Sequence, residues 1–469
     1  MVTDPDADDG LRVTTDLLAG YAHGFDVDAV DGETRDLAGR FVLDALACAV
    51  GAYAADPVKR LRTTYGDRSA ETGATLLGTD RTVAPEYAAL VNGTMVRYFD
   101  YNDTYLSGDS VCHPSDHVPG LLAVAESEGA SGADLLAALV LAYEIECRGV
   151  DTGLVWDRGF DYVTWGTMST AAAVGRLMGL DRGTIRDALG IAATSSNALL
   201  AARLGDVRMW KGIAHPYVTH SAVQACQMAR AGITGPPEAV TGKGGFETAV
   251  TGAPIRFAAL GGRDGAPFRL ARTNLKPYAC GYYMMAPIEA LLSILGEADV
   301  TDPEAIETIE VRTFDQAAQV LDGAEKRARD LTRETADHSL PYTLAVAAVD
   351  RDVTPRQYDP DRLSDPAVHD LIDRIDVVVD DDLTAARRAN PGELPHVVRV
   401  TVDGRTHERR IDAPPGHFCN RMSDERIERK VTDLVRPYLR PDQTDRLVEA
   451  CRDLAGLDGV DALLDATRV

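Results

Sequence analysis

The chain has 469 residues, of which 45% are hydrophobic, enough to form the core of a large globular protein. It carries 73 acidic against 48 basic residues, a formal net charge of -25 at pH 7. This excess repels nucleic acid and anionic membranes, so neither is an expected partner, and an anionic substrate would need a local basic pocket. An acidic surface with few lysines is typical of halophile proteins from a high-salt cytoplasm.

The cysteines and the first residues predict a reducing, cytoplasmic setting. The seven cysteines are scattered, odd in number and never form a C-x-x-C pair, which favours free thiols over a zinc ribbon or an iron–sulfur cluster. Residues 1–10 lack the positive region and apolar run of a signal peptide. Apolar runs such as 135–143 are too short to span a bilayer.

Amphipathic helices dominate the first part of the chain. Between residues 37 and 49, apolar side chains recur at spacings of three and four, which predicts a helix that starts near Gly32 or Glu33. Further Ala-rich helices are predicted at 86–96, 131–147 with Ser131 as N-cap, 169–177, 184–193 and 215–231. Strand-like alternation is almost absent before residue 300, so this part is typical of a packed helical bundle.

The pattern changes after about Arg272. Strands are predicted at 306–313, 375–379, 396–402 and 406–411, with helices at 285–295 and 340–349. The last two strands form a hairpin, because Asp403-Gly404 supplies the positive φ angles of a tight turn. Helices return at 424–439, 444–455 and 460–466. The sequence thus predicts a mainly α protein, with a large all-helical domain (1–271 and 416–469) and a smaller inserted α+β domain (272–415).

Residues 97–119 hold the densest group of polar side chains, R-Y-F-D-Y-N-D-T-Y-L-S-G-D-S-V-C-H-P-S-D-H-V-P. So many hydrogen-bonding groups between two apolar segments are costly to bury unless something binds there. The stretch resembles the signature of the MmgE/PrpD family, matched by D-Y-N-D-T-Y and C-H-P-S-D-H, and the resemblance extends from about residue 30 to 440. It implies a homodimer with a large helical domain and a smaller α+β lid, and a 2-methylcitrate dehydratase activity without a cofactor.

Two further motifs contribute cations in the family's order. R-L-G-D-V-R-M-W-K, residues 203–211, resembles the family's W-K-G pattern and makes Lys211 and Arg208 candidates, although a Lys after a Trp is commonly a surface residue. L-K-P-Y, residues 275–278, resembles a Lys-x-Tyr-Pro segment of relatives and adds Lys276, for which an interdomain salt bridge is the alternative.

A third motif, E-T-A-D-H-S-L-P-Y at 334–342, resembles the dehydratase branch of the family most. It adds Asp337, His338, Ser339 and Tyr342 to the candidates. The same letters also predict a helix N-terminus with Ser339 as cap and Tyr342 packed inward. Both interpretations can hold together, since a helix N-terminus is a good carboxylate site.

Residues 159–166, G-F-D-Y-V-T-W-G, carry Tyr162 where many relatives have His. If that His is catalytic in relatives, this protein uses Tyr162 instead, acts on another substrate, or has lost activity.

His113 and His117 stand four apart, which raises the question of a metal site. We predict none, because Pro114 starts a new element between them and no third His or Cys ligand is evident. A Ser–His–Asp hydrolase is not predicted, because G-x-S-x-G is absent from the sequence.

Removing water from a β-hydroxy tricarboxylate requires a base, an acid and cations that hold three carboxylates. The candidates for proton transfer are His113, Asp100, Tyr162 and Tyr342. The candidates for substrate binding are Thr104, Arg97, Arg208, Lys211, Lys276, His338 and Ser339. The expected partner is a small polycarboxylate, and neither a metal nor a cofactor is expected. Three alternatives remain open: decarboxylation of cis-aconitate, epimerisation of iminodisuccinate, and non-catalytic binding of small acids.

Overall fold

A computed structural model of the protein describes residues 10–204 and 207–469, in which helices form most of the regular structure. The helices are α1 (Thr15–His23), α2 (Gly32–Gly51), α3 (Asp56–Tyr65), α4 (Pro85–Arg97), α5 (Val118–Glu128), α6 (Gly132–Asp151), α7 (Val163–Leu177), α8 (Arg182–Ser195), α9 (Ala214–Arg230), α10 (Met285–Glu297), α11 (Asp315–Leu321), α12 (Arg333–Ala336), α13 (Leu340–Asp350), α14 (Pro360–Leu363), α15 (Pro366–Ile372), α16 (Asp381–Ala389), α17 (Asp424–Val435), α18 (Pro441–Arg452) and α19 (Asp461–Ala466). The strands are β1 (Leu11–Arg12), β2 (Ser69–Thr75), β3 (Thr82–Val83), β4 (Tyr105–Ser107), β5 (Ser110–Cys112), β6 (Arg256–Phe257), β7 (Ile306–Thr313), β8 (Ile375–Val379), β9 (His396–Val402) and β10 (Arg405–Ile411). The predicted mainly α fold is confirmed.

The helical part is built around α6 and α7. Helix α7 packs against α6, α8 and α9, while α4 packs against α2, α5 and α9. Every residue of α6 from Leu135 to Val150 is buried, including Glu144 and Glu146. A charged side chain in such surroundings is costly unless it is paired, so both glutamates are expected to have buried partners. The C-terminal helices α17 and α18 pack back onto α2.

The larger sheet lies in the later part of the chain and has the strand order β10-β9-β7-β8. Strand β7 is parallel to β8 and antiparallel to β9, and α10 packs on β9, β10 and α13. The predicted hairpin is confirmed, since β9 and β10 pair around Asp403 and Gly404, whose φ angles are 50° and 71°. The limits of the three predicted parts of the chain, and the role of the α+β part as a lid, stay predictions.

Local signals explain most element boundaries. Ser131 and Ser339 are the N-caps of α6 and α13, as predicted, and Ser131 also forms a capping box with Asp134. Helix α2 begins at the predicted Gly32, with Asp31 as its cap. Helix α7 begins at Val163, six residues before the predicted start at 169. The short strands before residue 300, among them the β4–β5 pair inside the polar stretch, were not predicted.

Within residues 10–204 and 207–469, no single helix is both long and apolar enough to cross a membrane. Helices α2 and α3 reach that length and hydropathy only when taken together, and they are bent by 87° at the break between them.

Candidate active site

The polar stretch 97–119 folds as a compact loop between α4 and α5. Strands β4 and β5 form a hairpin inside it, and a 3-10 turn, Pro114–His117, leads into α5. Thr104 and Asn274 exchange backbone hydrogen bonds of 2.8 Å in both directions. These bonds tie the loop to the segment that carries Lys276.

Asp100 lies at the centre of the candidate site, buried and surrounded by cations. Arg97 contacts its Oδ1, and the Nζ of Lys276 lies 3.0 Å from the same oxygen. The Nζ of Lys211 lies 3.6 Å from Oδ2, and the Nε2 of His338 lies 3.2 Å from it. Four segments that are distant in the sequence therefore meet at one carboxylate.

Asp337 supplies a second carboxylate to this cluster. Its Oδ1 lies 2.5 Å from the Nδ1 of His338 and 3.5 Å from the Nζ of Lys211. Burial and the neighbouring Lys211 ammonium lower the pKa of His338, which favours a neutral imidazole at pH 7. The ring of His338 lies between the carboxylates of Asp100 and Asp337, and in its neutral form it donates to only one of them.

Cations outnumber carboxylates in the cluster. Burial alone would raise the pKa of Asp100, but the charges of Arg97, Lys276 and Lys211 hold it well below its usual range. The ligand atoms of Asp100, Asp337 and the adjacent imidazole lie within 4.8 Å of one another, yet the surrounding cations disfavour a metal ion there. In a protein with a net charge of -25, such a local excess of positive charge suits an anionic ligand.

His113 faces this cluster in a defined tautomer. Its Nδ1 lies 2.7 Å from the carbonyl oxygen of Asp103, which only accepts hydrogen bonds, so Nδ1 carries the proton. The Oγ1 of Thr104 lies 3.2 Å from the same nitrogen. Burial lowers the pKa of His113 well below its usual range, and neighbouring cations add to that effect. The unprotonated Nε2, which lies 3.8 Å from the Oδ1 of Asp100, can therefore accept a proton.

Tyr162 lies on the other side of His113. The two rings meet edge to face, with centroids 5.7 Å apart, and the phenolic oxygen lies 3.4 Å from the Oδ2 of Asp116. Asp116 is held by the side-chain amide of Asn102 at 2.9 Å, and the Arg203 guanidinium lies 4.7 Å from the centre of the Tyr162 ring. Burial raises the pKa of Tyr162 well above its usual range, so the phenol keeps its proton at pH 7.

Three predicted site residues are not part of this cluster. The hydroxyl of Tyr342 donates to the carbonyl of Gln357 at 2.5 Å, and that of Ser339 donates to the carbonyl of Lys326 at 2.6 Å. These contacts give both residues a structural role at the start of α13 and do not support proton transfer by Tyr342. Arg208 is exposed at the start of a 3-10 turn. Direct roles for these three in the reaction stay predictions.

Comparison with known proteins identifies the scaffold. The MmgE/PrpD N-terminal domain matches residues 16–258, and the MmgE/PrpD C-terminal domain matches residues 278–454. The chain belongs to the MmgE/PrpD family. The resemblance carried by the polar loop and the three later motifs is thereby confirmed.

Curated MmgE/PrpD relatives align along almost the whole chain. The 2-methylcitrate dehydratase of Cupriavidus necator is 27% identical over 97% of this chain and 96% of its own. The 2-methylcitrate dehydratase of Escherichia coli (strain K12) is 25% identical over 90% of both chains. The cis-aconitate decarboxylase-like protein oryM of Aspergillus oryzae is 25% identical over 93% of both. Similar identities thus go with two names, so identity alone does not separate dehydration from decarboxylation.

A second buried cluster adjoins the candidate active site and was not predicted. Glu146 of α6 and His215 of α9 lie beside His117, at 3.1 Å between His117 and Glu146 and 3.3 Å between His215 and Glu146. His215 is thus a further histidine next to His117 that the sequence did not indicate, whereas His113 contacts other residues, as described above. The absence of a metal site stays a prediction. The sequence signal was a Glu inside the apolar run L-V-L-A-Y-E-I-E-C, where an unpaired charge would be costly.

Proposed function

We propose that this protein is a cofactor-independent dehydratase that converts 2-methylcitrate to 2-methyl-aconitate. The observation that carries the proposal is a neutral histidine with a defined tautomer, His113, facing a buried carboxylate, Asp100, that three cations surround. A base next to excess positive charge is what proton removal from a polycarboxylate requires, because the developing negative charge needs nearby cations.

His113 is the proposed base. Its Nε2 takes the proton from the carbon that bears a carboxylate and lies next to the hydroxyl-bearing carbon. The electrons of the broken C–H bond form the new C=C bond while the C–O bond breaks. Such positioned proton transfer contributes about two to four orders of magnitude to the rate. Thr104 and the carbonyl of Asp103 orient the ring for this step.

Tyr162 is the proposed acid. Its proton goes to the departing hydroxyl, which leaves as water. The guanidinium of Arg203 over its ring and that of Arg97 lower the pKa of the phenol and so offset part of the effect of burial. Proton return from the His113 imidazolium then restores both groups. In this account Tyr162 takes the position where many relatives carry His.

The substrate carboxylates are assigned to the cations of the Asp100 cluster. Lys211 has the most suitable position, because it lies between the two carboxylates and beside His338 without being confined to one of them. Arg97 and Lys276 form ion pairs with Asp100, so they affect substrate binding mainly through the positive electrostatic potential of the site.

Decarboxylation of cis-aconitate is the second candidate. The relative from Aspergillus oryzae, whose name refers to that reaction, is as similar to this chain as the E. coli dehydratase. The same cations suit either substrate. The two reactions differ in that only dehydration requires a hydroxyl to leave. Tyr162 next to His113 can protonate that hydroxyl, which favours dehydration.

A homodimer in a reducing, high-salt cytoplasm completes the proposal. All seven cysteines are free thiols, and six of them are buried, which fits a reducing compartment. Light scattering during size-exclusion chromatography at high salt tests the dimer, and a monomeric mass would contradict it.

Product analysis tests the function. The purified protein is incubated in high salt with chelator and, separately, with 2-methylcitrate, citrate, cis-aconitate or iminodisuccinate, and products are identified by proton NMR. Loss of water from 2-methylcitrate as the fastest reaction supports the proposal. Loss of carbon dioxide from cis-aconitate, or epimerisation, as the fastest reaction would replace it by that activity. Tricarboxylate binding without any product would support the binding protein.

A further inference from the structure

His117, Glu146 and His215 form a buried group behind the candidate active site. They come from the Pro114–His117 turn, α6 and α9, and each is at most 1% exposed. The Nε2 of His117 lies 3.1 Å from Oε2 of Glu146, and the Nε2 of His215 lies 3.3 Å from Oε1. One ligand atom from each residue lies within 4.8 Å of the others.

The two histidine–carboxylate separations are close to those between ligands of a tetrahedral metal ion. Nitrogen and oxygen ligands at about 2.0–2.1 Å from zinc lie about 3.3–3.4 Å from one another at the tetrahedral angle. Two imidazoles and one carboxylate are also a known ligand set for divalent transition ions. The two histidines lie beside different oxygens of the Glu146 carboxylate, so binding of one ion requires a rearrangement of that carboxylate.

The surroundings hold both rings in a suitable orientation. The outer nitrogen of His117 lies 2.9 Å from Oγ1 of Thr170, and that of His215 lies 3.3 Å from Oγ1 of Thr219. Hydroxyl partners at the outer nitrogens direct both Nε2 atoms towards Glu146, the arrangement that orients histidine ligands in metal sites.

A glycine and a hydroxyl lie next to the two histidines. Gly166 of α7 approaches so closely that a Cβ there would lie 2.7 Å from Nε2 of His215, so glycine is required for the ring to take this position. The Oγ of Ser169 lies 3.3 Å from Nε2 of His117. This hydroxyl also donates to the carbonyl of Trp165, so the fourth position of such a site would be taken by its oxygen or by a water molecule.

We propose that His117, Glu146 and His215 bind one Zn²⁺ or a similar divalent transition ion as a structural centre. The ion would join the polar loop to α6 and α9 behind the proposed acid, since the rings of Tyr162 and His215 lie 6.5 Å apart. It does not contact the substrate in this account. The proposal does not rest on the dehydratase function, and either can fail without the other.

The alternative is a hydrogen-bonded network without metal. In that case both Nε2 atoms carry protons and donate to Glu146, while Thr170 and Thr219 donate to the outer nitrogens. The distances fit this arrangement as well, so metal binding has to be measured directly.

Cobalt titration of the full-length protein distinguishes the two. After dialysis against chelator, we expect Co²⁺ to bind at one equivalent per chain with the visible absorption of tetrahedral cobalt, and Zn²⁺ to displace it. His215→Gln and Glu146→Gln each remove a ligand. Loss of a residue that only orients a ligand lowers metal affinity by up to about 100-fold, so each of these two variants should weaken Co²⁺ binding by more than about 100-fold. Absence of the cobalt spectrum in the wild type, or an unchanged affinity in both variants, would overturn the proposal.

Two control variants locate the ion. His220→Gln changes another histidine of α9, which bonds to the backbone carbonyl of Glu86, and should leave Co²⁺ affinity unchanged. His338→Gln should also leave the Co²⁺ affinity unchanged. A loss of affinity in that variant would assign the ion to the Asp100 cluster and contradict the proposal.

Zinc X-ray absorption of the wild type needs no variant that has to fold. It should show only nitrogen and oxygen ligands, and sulfur ligands would exclude this site.

Discussion

The ammonium group of Lys276 donates to the carbonyl oxygen of Asp100 at 2.7 Å and to its carboxylate Oδ1 at 3.0 Å. Asp100 has a φ of 50°, a conformation that few residues with a side chain adopt, and Lys276 is fully buried. The lysine thus holds both the backbone and the carboxylate around which the other site residues gather.

Lys276→Met should therefore destabilise the protein strongly. The change removes the ammonium from the Asp100 carbonyl and takes one of three cations from its carboxylate. Loss of one partner of a buried ion pair costs about 3–5 kcal/mol in the free energy of unfolding. Chemical denaturation measures this cost. The matched control is Lys59→Met, at an exposed lysine of α3, which should change the free energy of unfolding by less than about 0.5 kcal/mol. Equal effects of the two substitutions would contradict the account.

Lys211→Gln should weaken substrate binding, measured in protein that circular dichroism first shows to be folded. A hydrogen bond to a charged group contributes about 1.5–3 kcal/mol, so the Kd for 2-methylcitrate should rise about 10- to 150-fold. Isothermal titration calorimetry measures this Kd in proteins that also carry His113→Asn, so that the substrate is not consumed during the titration. Lys243→Gln, at an exposed lysine outside the cluster, is the control. An unchanged Kd in Lys211→Gln would show that this lysine does not hold the substrate.

Tyr162→Phe should lower kcat by about two to four orders of magnitude with little change in KM, because it removes the proposed proton donor. Tyr162→His introduces a protonatable ring, as in many relatives, and should retain measurable turnover. Tyr21→Phe is the control, since its hydroxyl donates to the backbone carbonyl of Gly261 away from the cluster. Full activity of Tyr162→Phe would remove Tyr162 from the mechanism.

The pH dependence of kcat/KM follows from His113. The base has to be unprotonated, and burial with nearby cations lowers its pKa well below the usual value of 6.5. Activity should therefore stay constant as the pH falls through 6.5 and decline only at lower pH. A pH–rate profile of kcat/KM measures this limb. An acid limb at or above pH 6.5 that is absent from a His113 variant would show that the base is not held neutral.

The fold was largely predictable where periodicity is clear. The limits of β7 and β8 coincide with the predicted 306–313 and 375–379, because both segments are rich in β-branched residues. The start of α7 was missed because V-T-W-G-T-M is a poor helix former by itself, and packing against α6 and α9 decides its conformation.

The site was predictable through its motifs and less so through its contacts. The family signature identified His113, Asp100 and Lys276, but no pattern could indicate that the Tyr342 hydroxyl turns to the Gln357 carbonyl.

A further signal was available in the lysine count. The chain has only six lysines, and four of them are buried: Lys211, Lys276, Lys326 and Lys430. In a protein whose surface cations are mainly arginines, a buried lysine is a candidate for function.

The second cluster was missed because its members come from separate helices. Glu146 and His215 are 69 residues apart in the sequence, and only the packing of α9 against the Pro114–His117 turn and α7 brings them together. Periodicity describes the faces of single helices and does not indicate which helices meet.

The central claim is that His113 removes a proton from 2-methylcitrate. Ultraviolet absorbance of the new conjugated double bond measures the initial rate for the wild type and for His113→Asn, each first shown by circular dichroism to be folded. We predict a steady rise for the wild type and a rate at least about 100-fold lower for the variant. A wild-type protein that produces no rise, or a folded variant that matches the wild-type rate, would contradict the account.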